Sequence, residues 1–108
     1  MGKTIKELFE EIPEFDQPDA AKIMRENCDK IFDELSTIIS TTLNSEEEQT
    51  AQTAHNRFFD TFHKEVRLSN EQYEKWQKDK TTDNWDEYEF IFKEAYKHIK
   101  GDLTHFIE

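Results

Sequence analysis

Histidines and acidic residues are the side chains of this 108-residue sequence that could bind a metal ion. Glu94, His98 and His105 are spaced four and seven residues apart, so a helix would place them along one line. Asp60 and His63 are three residues apart on another predicted helix. Carboxylates and imidazoles at such spacings can bind zinc, or iron where two helices converge. The Glu-x-x-His pair of carboxylate-bridged di-iron bundles does not occur in the sequence, and we predict neither a metal site nor a cofactor.

A second chemical pattern runs from Arg57 to His63, with the sequence R-F-F-D-T-F-H. It resembles the Arg-to-His motif of helical HEPN-type ribonucleases, which implies cleavage of RNA. The position after the arginine is usually polar in that family and is Phe58 here, and cleavage of RNA also needs a basic groove. The sequence contains no nucleophile elbow, P-loop or dinucleotide fingerprint. We therefore predict a non-enzymatic protein without catalytic residues, and a metal-binding or HEPN-like ribonuclease bundle is the third functional hypothesis.

One aromatic residue lies among acids in the stretch from Asp83 to Lys97, D-N-W-D-E-Y-E-F-I-F-K-E-A-Y-K. At about 100° per residue, Phe90 lies about 140° from Trp85 and nearly opposite the apolar stripe of the predicted helix. It is either buried under a neighbouring element such as the first short helix, or exposed as an interface anchor with an acidic rim. We predict that partner binding uses Asp83, Asp86, Glu87, Phe90 and Glu94.

The charge of the whole sequence is acidic, with a formal net charge of -11 at pH 7. Binding to nucleic acid or to an anionic membrane needs clustered Lys and Arg, so the charge argues against both. It favours a partner protein with a basic surface. Glu46, Glu47 and Glu48 form a second predicted partner-binding patch, although the start of a helix also favours acids for reasons of stability alone.

The composition resembles that of a disordered chain, with 36% charged and 34% hydrophobic residues. The apolar residues are periodic, however, and fourteen residues are aromatic, which favours a folded core. The single cysteine, Cys28, excludes an internal disulfide and falls on an apolar helical face, so we predict a small buried hydrophobe. No apolar run of about 18 residues is present. We expect a soluble cytoplasmic protein.

The apolar periodicity predicts helices along the whole chain. Thr4 and Glu7 form a capping box at the start of the first helix. Pro18 suits the first turn of the second helix, with Asp16 or Gln17 as its cap. The stripe of this helix is Ala21, Met24, Cys28, Ile31, Leu35, Ile38 and Thr42, widened to one side by Phe32, Ile39 and Leu43.

Two further capping boxes, Ser45 to Glu48 and Ser69 to Gln72, predict the starts of a third and a fourth helix. The third helix ends about Leu68, and His55 within its stripe is predicted to be a hydrogen-bonded core residue. The last helix begins near Asp83, and Gly101 is either inside it or its C-terminal cap. We predict a single all-α domain, residues 1–108, formed as an antiparallel bundle of four main helices plus a short fifth helix.

The first functional hypothesis is a small acidic protein-binding module, an inhibitor or antidote that occupies a basic, nucleic-acid-binding surface of a partner protein. Carboxylates on the outer faces of the bundle would replace the phosphates of nucleic acid, as in small inhibitors of nucleases, of restriction or CRISPR effectors and of basic toxins. The alternative is a structural or assembly subunit or a homodimer, because the second and last helices carry more apolar positions than one small bundle needs.

Overall fold

The computed structural model describes residues 3–108, and every regular element in this range is helical. The all-α class predicted from the sequence is confirmed. The elements are α1 (Ile5–Glu10), α2 (Ala20–Thr41), α3 (Ser45–Thr61), a π-helical segment (Phe62–Val66), α4 (Arg67–Lys78), α5 (Thr82–Asp102) and α6 (Thr104–Ile107). Within the described range, none of these helices combines the length and hydropathy that a membrane span requires.

The first two helices begin at caps of different kinds. The predicted capping box is present at α1, where the Thr4 hydroxyl accepts the Glu7 amide at 3.1 Å and the Glu7 carboxylate accepts the Thr4 amide at 3.2 Å. α2 begins after Asp19, whose φ of 62° is left-handed and whose side chain makes no capping hydrogen bond. The prediction of Asp16 or Gln17 as this cap is therefore wrong.

Asn44, rather than Ser45, caps α3. Its side-chain oxygen accepts the amides of Glu46 at 2.9 Å and Glu47 at 3.1 Å, so Ser45 is the first residue of the helix. An asparagine at this position satisfies two of the amides that lack a partner within the helix. At the other end of the chain, α5 continues through Gly101, which excludes the alternative of a glycine cap there.

α3, the π-helical segment and α4 follow one another without a break from Ser45 to Lys78. The predicted end at Leu68 and the predicted capping box at Ser69 are therefore wrong. Ser69 is buried, and its hydroxyl donates to the Val66 carbonyl at 2.8 Å inside the helix instead of capping a new one. A sequence that matches a capping box is thus accommodated by a bond within a continuous helix.

Three side-chain amides link the helices in pairs and fix which face of each helix points inward. They connect α2 to α1, α4 to α2 and α4 to α5. The bonds run from Asn27 to the Leu8 carbonyl (3.1 Å), from Asn70 to the Ala21 carbonyl (3.0 Å) and from Gln72 to the Asn84 carbonyl (3.0 Å). Because these donors are at least partly buried, losing any one would leave a polar group without a partner.

The core lies between one face each of α2, α3 and α5, and Met24, Ile31, Phe58 and Tyr88 are among its largest fully buried side chains. Cys28 is also fully buried, as predicted. Burial, with a smaller contribution from Asp29, raises the pKa of the Cys28 thiol far above its usual range. The cysteine therefore acts as a small hydrophobe and not as a nucleophile.

The C-terminal end of α2 is less buried than the predicted stripe requires. Ile38 and Ile39 are only half-buried, and Leu43 is fully exposed, at 103% of its reference area. Hydrogen bonds join α1 and α4 to the N-terminal half of α2, at Asn27 and Ala21. These two helices therefore cover that half of α2 and leave its C-terminal end more exposed.

His55 also departs from its prediction. The residue is half-buried beside the Phe32 ring, with 5.4 Å between the centroids. Its Nδ1 atom has no hydrogen-bond partner within the described part of the chain. The prediction of a hydrogen-bonded core histidine is therefore wrong for this nitrogen.

Candidate protein-binding face

α5 places Phe90 on the outside because the residues two positions before and two positions after it pack inward. Tyr88 and Phe92 are 0% and 3% exposed, and their ring centroids lie 5.9 Å apart. Phe90 itself is 64% exposed. Phe90 is therefore exposed and not buried under a neighbouring element, which were the two alternatives left by the sequence.

The first helix does not cover Phe90. α1 packs on a different side of α5, where the Phe9 ring lies 5.0 Å from the Tyr96 ring. Asn27 holds α1 against α2 at the same time, through the bond to Leu8. We call the outward side of α5 that carries Asp83, Asp86, Glu87, Phe90 and Glu94 the Phe90 face.

The acids before Phe90 are available to a partner. Asp83, Asp86 and Glu87 are all exposed, and none of them forms an ion pair with another residue between 3 and 108. The side chain of Lys93, the first basic residue after Phe90, contacts Glu89 and Phe15. Its Nζ lies 3.6 Å from the Glu89 carboxylate and 4.9 Å from the centre of the Phe15 ring. The N-terminal half of the Phe90 face is therefore an acidic surface with an apolar ring at its edge.

Glu94 is partly engaged by the protein itself. It is half-buried, and its Oε2 lies 3.8 Å from His98 Nε2, while the other ring nitrogen of His98 lies 2.5 Å from Glu65 Oε1. The four-residue spacing of Glu94 and His98 was evident from the sequence, but the contact between His98 and Glu65 of the π-helical segment was not. No local pattern signals that pair, because its members are 33 residues apart.

The second predicted patch lies at the opposite end of α5. Glu46, Glu47 and Glu48 are exposed in the first turn of α3, as the interpretation based on the helix dipole also requires. Glu46 lines a groove of about 800 Å³ together with Gly101 and Asp102. At 1.5 Å per residue, Asp83 and Gly101 are about 27 Å apart along α5. The structure therefore separates the two acidic patches that the sequence suggested as one partner-binding set.

The residues considered for metal binding and for RNA cleavage are engaged in other contacts. The His63 ring packs on Phe59 at 4.2 Å, and the His105 ring packs on Phe106 at 5.1 Å. Arg57 lines the same groove as Asp102. Among residues 3–108, no three His, Cys, Asp or Glu side chains have an arrangement that could hold a metal ion.

Asp102 is a polar residue of the groove that sequence reasoning missed. Its Oδ2 accepts the Thr61 hydroxyl at 2.6 Å, and burial raises the pKa of its carboxyl although that bond and the nearby His98 and Arg57 act in the opposite direction. Because 41 residues separate Thr61 from Asp102, periodicity within one helix could not reveal the contact.

The Phe90 face combines two kinds of group that can contribute to binding. An exposed aromatic ring supplies apolar contact area, and unpaired carboxylates attract cationic groups. Comparisons of this chain with protein-family models, with curated proteins and with solved structures found no match.

Proposed function

We propose that this protein is a non-enzymatic binding module whose Phe90 face occupies a basic surface of a partner protein. The observation that carries the proposal is the exposure of Phe90, at 64%, beside three acids that have no ion-pair partner among residues 3–108. Aromatic side chains, phenylalanine among them, are enriched at protein interfaces relative to the rest of the protein surface.

The two kinds of residue on the Phe90 face have different roles in the proposal. Asp83, Asp86 and Glu87 attract a cationic partner and set its register, because charge complementarity acts mainly on the association rate and on specificity. Phe90 enters an apolar site on the partner and loses its contact with water, which slows dissociation. The net charge of -11 adds long-range attraction toward a basic protein.

The nature of the partner follows from the charge. Proteins that bind nucleic acid carry the clustered Lys and Arg that these carboxylates would pair with. The proposed activity is therefore inhibition, with the carboxylates in the place of phosphates, and both proteins in the cytoplasm. Glu46, Glu47 and Glu48 contribute only if the partner surface also reaches the other end of α5.

We also propose the antiparallel four-helix arrangement as the scaffold of this surface. Only three residues, 42–44, connect α2 to α3, and only three, 79–81, connect α4 to α5. Connections this short favour antiparallel neighbours. The helix that combines α3 and α4 also packs against α5, which supports a bundle with a shared core.

The test compares three tagged forms of the protein in lysate of the source cells: wild type, Phe90→Ser and Leu68→Ser. The Leu68 variant is the matched control, because it also replaces an exposed large apolar residue by serine, on α4 and outside the Phe90 face. We expect a basic protein that wild type and the control retain at low salt. High salt and Phe90→Ser should each release it.

Direct measurements with the purified partner complete the test. Phe90→Ser should weaken binding by about thirtyfold, as expected for an interface hot spot, and mainly through faster dissociation. A nucleic-acid fragment that the partner binds should compete with the protein. Equal binding by wild type and Phe90→Ser, or a partner without a basic surface, would contradict the proposal.

A further inference from the structure

A low-charge surface runs along the hairpin formed by α2 and α3. Between Leu35 and Asn56 the only Asp, Glu, Lys or Arg residues are Glu46, Glu47 and Glu48, although 36% of the whole sequence is charged. The uncharged stretches are 36–41 on α2 and 49–56 on α3, and the connection 42–44 between the two helices is uncharged as well.

One side of this hairpin is apolar and only partly covered. On α2, Phe32, Ser36 and Ile39 are spaced by four and three residues, which places them on one face, and Leu43 follows in the connection between α2 and α3. The Phe32 ring packs against His55 (5.4 Å) and Phe59 (6.3 Å) of α3, which shows that these residues border the same side. We call Phe32, Ile39, Leu43, His55 and Phe59 the hairpin strip.

At the end of the strip, Leu43 is not covered by any apolar residue between 3 and 108. A hydrophobic residue directly before an N-cap often packs against the fourth residue of the helix, but for Leu43 that position is Glu48. Leu43 is fully exposed, and Phe59 is 49% exposed. The strip thus resembles the half-covered side of a helix pair that lacks a second pair to pack against.

The occupant that fits this surface is a second copy of the chain. Two copies each carry a net charge of -11 and repel one another, so they meet at the least electrostatic cost where both surfaces are uncharged. An isologous contact also needs a patch that matches itself, and a neutral apolar strip does so without paired charges. The Phe90 face would instead place like charges near each other in such a pair.

We propose that this protein forms a homodimer in which the α2–α3 hairpins of two copies pack strip against strip as an antiparallel four-helix bundle. The antiparallel direction follows from the glutamates at the hairpin tip. A parallel pair would bring Glu46, Glu47 and Glu48 of both copies together, whereas the antiparallel pair moves the two clusters apart by about 14 Å, the length of α2 from Phe32 to its end at Thr41.

Sedimentation or light scattering of the purified chain tests this directly. The mass should rise with protein concentration from 13.0 kDa toward twice that value, because a contact between two hairpins is small. Leu43→Glu should weaken the dimer by about tenfold or more, since it removes two apolar side chains and adds two like charges per dimer. Full exposure of Leu43 means that this variant retains the fold, which circular dichroism verifies.

Two controls separate this proposal from the proposed function. Phe90→Ser should leave the dimer unchanged, because Phe90 lies on α5 and outside the hairpin strip. Added salt should hold or strengthen the dimer by screening repulsion between copies, whereas it should weaken binding of a basic partner. The dimer and the basic partner can therefore fail independently.

A cysteine cross-link gives a second measurement. Ser36 is exposed near the middle of the strip, so Ser36→Cys should form a disulfide-linked dimer under mild oxidation. Cys28 contributes no background because it is fully buried, and Glu74→Cys on the outside of α4 is the matched control that should not cross-link. A constant mass of 13.0 kDa at all concentrations, or equal cross-linking at positions 36 and 74, would overturn the proposal.

Discussion

Replacing Phe90 and Phe92 by serine, one at a time, should have very different effects on stability. The two residues are identical in type and two positions apart on α5, but Phe90 is 64% exposed and Phe92 is 3% exposed. Truncating a fully buried Phe costs about 3–5 kcal/mol, because both apolar burial and packing are lost. About a third of Phe90 is buried, so its share of a full transfer free energy is only about 0.5–1 kcal/mol.

The helix propensities of Phe and Ser are similar, so the comparison reports burial and not a difference in backbone preference. Urea unfolding followed by circular dichroism is a suitable assay. With a slope of about 1.5 kcal/mol per molar urea, Phe92→Ser should lower the midpoint by about 2–3 M and Phe90→Ser by about 0.5 M. If Phe92→Ser does not fold, the Phe→Leu pair gives the same ranking on a smaller scale.

An equal loss of stability in the two variants would refute the reasoning. Phe90 would then belong to the core, and the Phe90 face could not receive a partner. A small loss for Phe90→Ser also has a practical value, because any loss of binding in that variant is then a loss of contact and not of fold.

Three further predictions concern stability. Gly101→Ala should raise the unfolding free energy by about 0.5–1 kcal/mol in urea titrations, because a Cβ at this helical position meets no atom within 4 Å. Tyr88→Phe should change the thermal midpoint by the equivalent of less than about 1 kcal/mol, since the buried hydroxyl makes no hydrogen bond of normal geometry among residues 3–108, although the Ala21 carbonyl lies near it; a larger loss would show that these two groups are bonded. The pKa of Asp102 is higher in the folded state, so this carboxylate lowers stability at neutral pH and ceases to do so as the pH falls through the raised pKa. Asp102→Asn should therefore raise the urea midpoint at neutral pH but not in acid, and an increase that is the same at both pH values would contradict this assignment.

Helical periodicity placed Phe90 opposite the apolar stripe of α5, because α5 is a regular helix whose inward face is strongly aromatic, but it left open whether another element covers the residue, since such cover depends on tertiary packing. The capping box at Thr4 could also be predicted from the sequence, because both of its hydrogen bonds join residues only three positions apart. Local patterns are reliable where no competing local pattern or tertiary contact overrides them. They predicted the all-α class for the same reason.

The predictions that failed did so because a neighbouring residue or a tertiary contact overrode the local pattern. Asn44, one position before Ser45, caps α3 instead of Ser45. Ser69 caps no helix, because the helix continues through the π-helical segment into α4. Leu43 is exposed because α2 ends at Thr41, before it, whereas the predicted stripe continued past this end. The contact between Thr61 and Asp102 is a product of the assembled fold, since its partners lie on different helices.

The π-helical segment Phe62–Val66 sets the rotational phase between the two halves of one long helix. From Ser45 to Lys78 this helix spans 34 residues, or about 51 Å at 1.5 Å per residue, and so matches the 52 Å long dimension of the molecule. Its first half packs mainly on α2 and its second half mainly on α5. The amides of this segment bond five and not four residues back, so refolding the same residues as regular α-helix would change its length by only about 1.5 Å but would turn every side chain of α4 by about 100° relative to α3. The length of the molecule would hardly change, yet Ser69 and Gln72 would leave the interior, so the wider turn of this segment determines whether both halves of the helix can be buried at once.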